Sequence, residues 1–239
     1  MNKAVDTNTI LAQAEYTHWW FQARRAIMEY IFWKNIDNKQ ITVLSVGCGT
    51  GAELEHIGQY AHVTGLDIDK EVISFCKSKG LSVIEGDILD TKLPEQSFDI
   101  VVAMDVLEHI KDDYGALAQL ARVLKKDGLL LVTVPAFEWL WSSFDEEGEF
   151  PHVRRYTKKT LLDLLHSQSL QISKMSYYNF FLFPFAYLAR MSDQSFVSQM
   201  QPMPRWKNSL LRSLFAFEKY FLPWINFPFG VSLVAVCKK

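Results

Sequence analysis

The sequence predicts an α/β protein built on a doubly wound, mostly parallel sheet. Three observations carry this. Apolar, β-branched runs alternate with amphipathic helical stretches, and parallel neighbours need such helices as crossovers. The first run passes straight into closely spaced glycines in "VLSVGCGTGAEL", residues 43–54. Hydrophobic residues make up 49% of the 239-residue chain, enough for one sizeable core.

The periodicity sets the order of elements. An aromatic helical region covers about 9–36, followed by a strand at 41–46, a helix at 51–60, a strand at 62–67 and a helix at 69–79. A short strand at 81–84, a strand at 98–103, a helix at 112–125 and a strand at 128–134 come next. A loop spans 135–156, a helix 157–168 and a strand 170–178, and "GVSLVAVCKK" reads as a final buried strand. The whole is read as one domain: a helical cap at 1–40, a core at 41–178, an aromatic helical insert at 179–230 and the last strand at 231–239. Ligands of open α/β sheets bind outside the carboxyl ends of the strands, so functional residues are sought just after strands.

Composition excludes several classes. A formal charge of −2 and short basic runs set among acids argue against a nucleic-acid partner. Three cysteines without framework spacing suit a reducing compartment. No CxxC or HExxH spacing offers a metal site, so none is expected. The polar start "MNKAVDTNTI" lacks an apolar signal core, which predicts a cytoplasmic protein.

Gly47, Gly49 and Gly51 remove side chains where the chain must turn tightly and approach a ligand. With Ala52 they also satisfy a loose dinucleotide fingerprint, and Asp67 stands about twenty residues on, where a ribose-binding acid belongs. A nucleoside ligand is favoured over a glycine turn that merely packs. "HVTGLDID" then ends the second strand at Asp67 and Ile68, and "VIEGDIL" sets Asp87 and Ile88 after the third. "FDIVVAMDVLEHI" ends the fourth at Met104 and Asp105, and "RVLKKDGLLLVTVP" forms a helix end, a turn and the fifth.

In this order the motifs resemble class I S-adenosylmethionine-dependent methyltransferases, within the broad bacterial group that includes the ubiquinone-pathway O-methyltransferases. The resemblance covers about 41–178 and returns in the last strand. It implies a seven-stranded Rossmann-like sheet whose last strand runs antiparallel beside strand six, with S-adenosyl-L-methionine as cofactor. It further implies that Gly47, Cys48, Gly49 and Gly51 line the methionine and ribose, that Asp67 and Ile68 hold ribose and adenine, and that Asp87 and Ile88 hold adenine. Met104 and Asp105 would lie under the methionine part. Two positions depart from the pattern. Ser45 stands where the family has an acid, which removes the usual support of the methionine amino group. Lys125-Lys126-Asp127-Gly128 replaces a Lys-Pro-Gly-Gly turn and is expected to form a different tight turn.

Methyl transfer needs an acceptor held in line with the donor and, for a hydroxyl or amine, a base for its proton. His152, in the loop after the fifth strand, is the candidate base. It would otherwise brace the turn at Arg154 and Arg155, which have Asp145, Glu146 and Glu147 as potential partners. Thr157 is placed to cap the next helix, and His109 reads as support near the cofactor. In "EYTHWWFQARRAI", helical spacing stacks Tyr16, Trp20 and Arg24. The stretch is either an aromatic helix packed on the sheet edge or a lid. As a lid it would set Arg24 at the cofactor carboxylate and an aromatic face near the sulfonium.

The insert, dense in Phe, Trp and Tyr, reads as core, homodimer interface, pocket for a hydrophobic or lipid-like acceptor, or membrane-surface face. The favoured activity is O-methylation of a small hydrophobic acceptor. The rivals are an NAD-dependent oxidoreductase, for which no Tyr-x-x-x-Lys pair follows the fourth strand, and a non-catalytic S-adenosylmethionine binder.

Overall fold

The computed structural model describes residues 13–33, 36, 40–146, 150–191 and 202–239. The expected helical start at 9–12, Glu147 and residues 192–201 of the insert lie outside the described residues. Seven strands form one sheet: β1 (Thr42–Val46), β2 (His62–Asp67), β3 (Val83–Glu85), β4 (Phe98–Met104), β5 (Leu124–Pro135), β6 (Gln171–Tyr178) and β7 (Ser232–Lys238). Their order is β3-β2-β1-β4-β5-β7-β6. The first five run parallel, and β7 lies antiparallel between β5 and β6. The chain reverses its order at β1, which has β2 on one side and β4 on the other, and so opens a crevice at their carboxyl ends.

Helices α1 (Trp19–Ile31), α2 (Ala52–Ile57), α3 (Lys70–Ser78), α4 (Asp113–Val123) and α5 (Lys158–His166) accompany the sheet. Leu44, Val101, Val102, Leu131, Val132 and Val234 are fully buried in its centre. Asp69 caps α3 through bonds from the Glu71 and Val72 amides, and Thr157 caps α5 in a box with Thr160.

Two expectations change. The Lys125-to-Gly128 stretch is no tight turn, because β5 already begins at Leu124. The pairing with β4 jumps from Phe98–Leu124 to Ile100–Leu129, so the intervening residues bulge, with Asp127 at φ 62°. The N-terminal helix is also interrupted. A helical stretch at 13–17 breaks at His18, whose side chain accepts from the Trp20 amide as the N-cap of α1. Tyr16 therefore leaves the face shared by Trp20 and Arg24, and its hydroxyl accepts from Lys79.

The insert contributes α6 (Phe183–Met191) and α7 (Arg205–Ala216). Its inner side completes the core: Phe215 is fully buried, with its ring 5.9 Å from that of Tyr178. Glu218, also fully buried, accepts the Phe181 amide at 3.0 Å, and burial pushes its carboxyl up to about 7. The outer side leaves Trp206 and Trp224 exposed at 71% and 84%. No helix among the described residues is long and apolar enough to cross a membrane.

Candidate active site

The loop between β1 and α2 turns on left-handed glycines, with φ of 63° at Gly47 and 52° at Gly49. A Cβ on Gly49 would lie 2.5 Å from a carboxylate oxygen of Glu15. Glu15 arrives from the segment before α1 and accepts from the Thr50 hydroxyl at 2.5 Å and the Thr50 amide at 3.2 Å. Burial raises its carboxyl above the ordinary range. Its partners lie within the glycine loop, which ties the N-terminal segment down over that loop.

Beneath this contact lies a cavity of about 40 Å³, lined among others by Arg24, Ser45, Gly47, Cys48, Glu53 and Met104. Arg24 is paired through Nη1 with Asp105, while its guanidinium sits 4.7 Å from the centre of the Trp20 ring. Burial acts to lower the Arg24 pKa, but the Asp105 and Glu53 carboxylates hold it above the usual value. The Arg24 Nε and both carboxylate oxygens of Glu53 are buried without hydrogen-bond partners. One small cavity thus exposes an unsatisfied cationic edge and an unsatisfied carboxylate, the complement of an amino acid's carboxylate and ammonium. Ser45 and Glu53 both line this cavity, and Glu53 brings a carboxylate to it. Trp20 acts beneath Arg24, whereas Phe21 lines the cavity.

The nucleoside side of the predicted site is at the same end of the sheet, outside that cavity. Asp67 accepts the Gly49 amide at 3.1 Å through one oxygen and the Asp69 amide at 3.1 Å through the other. Burial raises its carboxyl despite those bonds. Ile68 beside it is exposed at 52%. Asp87 accepts the Leu89 amide at 2.9 Å, capping a short turn whose Ile88 side chain is buried in the core. Ile88 can therefore meet adenine through its backbone alone. A whole nucleoside-bearing ligand needs about 300 Å³ or more.

The acceptor-side candidates meet across the ends of β4 and β5. Asp105, at φ 56°, receives a bond from the Thr133 hydroxyl at 3.2 Å as well as the ion pair with Arg24. His152 Nδ1 lies 2.6 Å from Oδ1 of Asp145, a fully buried carboxylate that also holds Arg155 at 2.7 Å. Arg154 instead pairs with Asp113 at 2.6 Å. The His109 ring lies 4.7 Å from the His152 ring, and its Nδ1 is 3.3 Å from the Pro151 carbonyl oxygen. Burial and then the neighbouring His152 lower the His109 pKa. Glu108, fully buried, points a carboxylate at the same two rings.

Beside this group Phe137 stacks on Trp139 at 5.1 Å and on Tyr177 at 5.0 Å, and Phe183 and Tyr187 close on Trp139. Glu15, Glu53, Glu108 and Asp145 were not singled out from the sequence as site residues. Glu53, Glu108 and Asp145 follow strands of the crevice and so carry a sequence signal, whereas Glu15 precedes the first strand and carries none.

Residues 44–132 match the methyltransferase-domain family. A sterol 24-C-methyltransferase of Gibberella zeae is 31% identical over 122 residues, which is 47% of this chain and 31% of that protein. A probable S-adenosylmethionine-dependent methyltransferase of Mycolicibacterium smegmatis is 28% identical over 54% of this chain and 52% of its own length. A fatty-acid O-methyltransferase of the same organism is 33% identical over 38% of this chain and 36% of its length. The chain thus spans about a third to a half of the length of these curated relatives. Among solved structures, a SAM-dependent methyltransferase from Archaeoglobus fulgidus superposes with a TM-score of 0.58 at 17% identity. It covers 91% of this chain and 94% of that one, and shows the shared fold.

Proposed function

We propose that this chain, a class I S-adenosylmethionine-dependent methyltransferase by its central domain, transfers a methyl group to an oxygen of a hydrophobic acceptor. The observation that carries the reading is the pairing of an unsatisfied Arg24 Nε with an unsatisfied Glu53 carboxylate under the glycine loop. Those groups fit the methionine end of the cofactor, and Asp67 fits the ribose hydroxyls. When bound, S-adenosylmethionine supplies an activated methyl on a sulfonium. The chain's own part is to bind, orient and exclude water. Arg24 and Glu53 hold the amino-acid end, and the Gly47-to-Gly51 loop admits the ligand against bare backbone. The segment at 13–17 and α1 close over it. Positioning of this kind is worth about 7–11 kcal/mol of the barrier.

The acceptor hydroxyl is ionised at His152, which Asp145 orients through Nδ1, leaving Nε2 to take the proton. The aromatic wall of Phe137, Trp139 and Phe183 supports an apolar acceptor, as do sterol and fatty-acid methylation by the relatives. A groove of about 390 Å³ between α1 and α7 is not its site. Gln22 and Ala26, which line that groove, lie about 200° around α1 from Arg24. The exposed Trp206, Leu210 and Trp224 with Arg205 and Lys207 fit contact with a lipid surface, where such an acceptor resides.

The test is incubation with methyl-labelled S-adenosylmethionine and a membrane lipid extract. Label should enter the organic phase with the wild-type chain and not with Asp67→Ala. Label confined to the aqueous phase would reject the hydrophobic acceptor.

A further inference from the structure

The Glu108, His109 and His152 side chains each present a ligand-type atom, and these atoms lie within 4.8 Å of one another. The three come from the ends of adjacent strands: Glu108 and His109 follow β4, and His152 follows β5. A backbone bond from the Val153 amide to the Glu108 carbonyl at 2.8 Å fixes the two loops together.

Two features separate this cluster from an ordinary buried polar group. Glu108 has no accessible surface, and neither carboxylate oxygen has a hydrogen-bond partner. A buried carboxylate without donors is strongly disfavoured unless it is neutralised or meets a cation. The nearest candidate, Arg155, is committed to Asp145 and to the Ala136 carbonyl.

The second feature is the arrangement of the imidazoles. His152 Nδ1 is engaged by the Asp145 carboxylate at 2.6 Å, and His109 Nδ1 faces the Pro151 carbonyl oxygen at 3.3 Å. With an oxygen partner on Nδ1 of each ring, Nε2 is the nitrogen left for another contact. This is how histidines are oriented for metal ligation. Asp145 is itself held by Arg155, so the support is rigid.

We propose that Glu108, His109 and His152 form a binding site for a divalent transition-metal cation, of which zinc is the best match. Two imidazoles and one carboxylate favour such an ion over magnesium or calcium, which prefer oxygen ligands alone. Three protein ligands leave a tetrahedral ion one open position. Bonds of about 2.0–2.2 Å require the three donors to move inward from their present spacing. The binding site stands independently of the methyl-transfer reading; only the ion's role rests on it. In that role the ion holds an acceptor oxygen at the open position and lowers its pKa, as zinc does for bound water. His152 is then a ligand, and the ion takes over the ionising function assigned to it above.

The experiment titrates zinc into the full, chelator-treated chain by calorimetry, with cobalt(II) absorption as a second readout. One ion per chain is expected. Affinity should drop about 10- to 100-fold or more in His109→Ala, a change that leaves the Asp145–His152–Arg155 contacts in place, and further in Glu108→Gln. Melting curves of the metal-free variants confirm that each is folded. Absence of zinc binding to the wild-type chain overturns the proposal. So does unchanged stoichiometric binding in His109→Ala, which would put the ion elsewhere. Binding without any methyl transfer would leave the site standing and reject the reaction.

Discussion

One carboxylate oxygen, Oδ1 of Asp145, serves both His152 at 2.6 Å and Arg155 at 2.7 Å. The arginine and the carboxylate are almost wholly buried, whereas the imidazole keeps an accessible edge. The buried Asp145–Arg155 pair ties the loop after β5, and the same carboxylate fixes the orientation of the His152 ring at the edge of the crevice.

That difference in burial predicts different costs at the two positions. Asp145→Ala leaves the Arg155 guanidinium buried and unpaired, and should lower stability by about 3–5 kcal/mol in urea titration. His152→Ala should melt close to wild type while turnover falls by about 10²–10⁴. Equal losses of stability in both variants would show that His152 only braces the turn.

Glu53 offers a sharper test of the methionine end. Glu53→Gln should weaken S-adenosylhomocysteine by about 1.5–3 kcal/mol, the range for a hydrogen bond to a charged group. It should leave 5′-methylthioadenosine, which lacks the amino-acid end, unaffected. A parallel loss for both ligands in calorimetry would remove Glu53 from the ammonium site.

Asp67→Ala should behave in the opposite way and weaken both ligands by about 1.5–3 kcal/mol, because both carry the ribose. The variant also frees the Gly49 and Asp69 amides, so a small drop in melting temperature is expected. Unchanged affinity for either ligand contradicts the assignment.

Glu218 makes stability depend on pH. Its carboxyl titrates near 7 in the folded chain and near 4.3 when unfolded, so the folded state binds the extra proton between those values. Stability should fall as pH rises from about 4.3 to 7, by about 4 kcal/mol, and be flat above. Glu218→Gln should abolish that slope, as measured by denaturant titration at several pH values. A variant with the wild-type slope would place the titration elsewhere.

The sheet was legible because the alternation of apolar strand and amphipathic helix is a local signal, and so were the strand-end positions of Asp67, Asp87 and Asp105. Other features were not local. The break at His18 depends on a side-chain cap that outcompetes helical continuation, and it sends Tyr16 to Lys79. Glu53 lies one residue into α2 and reads as an ordinary helix-start acid, until the fold brings Arg24 to the same cavity. Glu108 and His109 stand 44 and 43 positions before His152 in the chain, and only the pairing of β4 with β5 makes them neighbours. The bulge at Lys125-to-Gly128 likewise arises from register, which composition does not display.

The central claim is that the cleft beside β1 binds S-adenosylmethionine, and isothermal calorimetry with S-adenosylhomocysteine and NAD tests it most directly. One S-adenosylhomocysteine per chain should bind, with a stabilisation of about 2.7 kcal/mol at a hundredfold excess over its dissociation constant. NAD should give no heat. Saturable binding of NAD with none of S-adenosylhomocysteine would contradict the account.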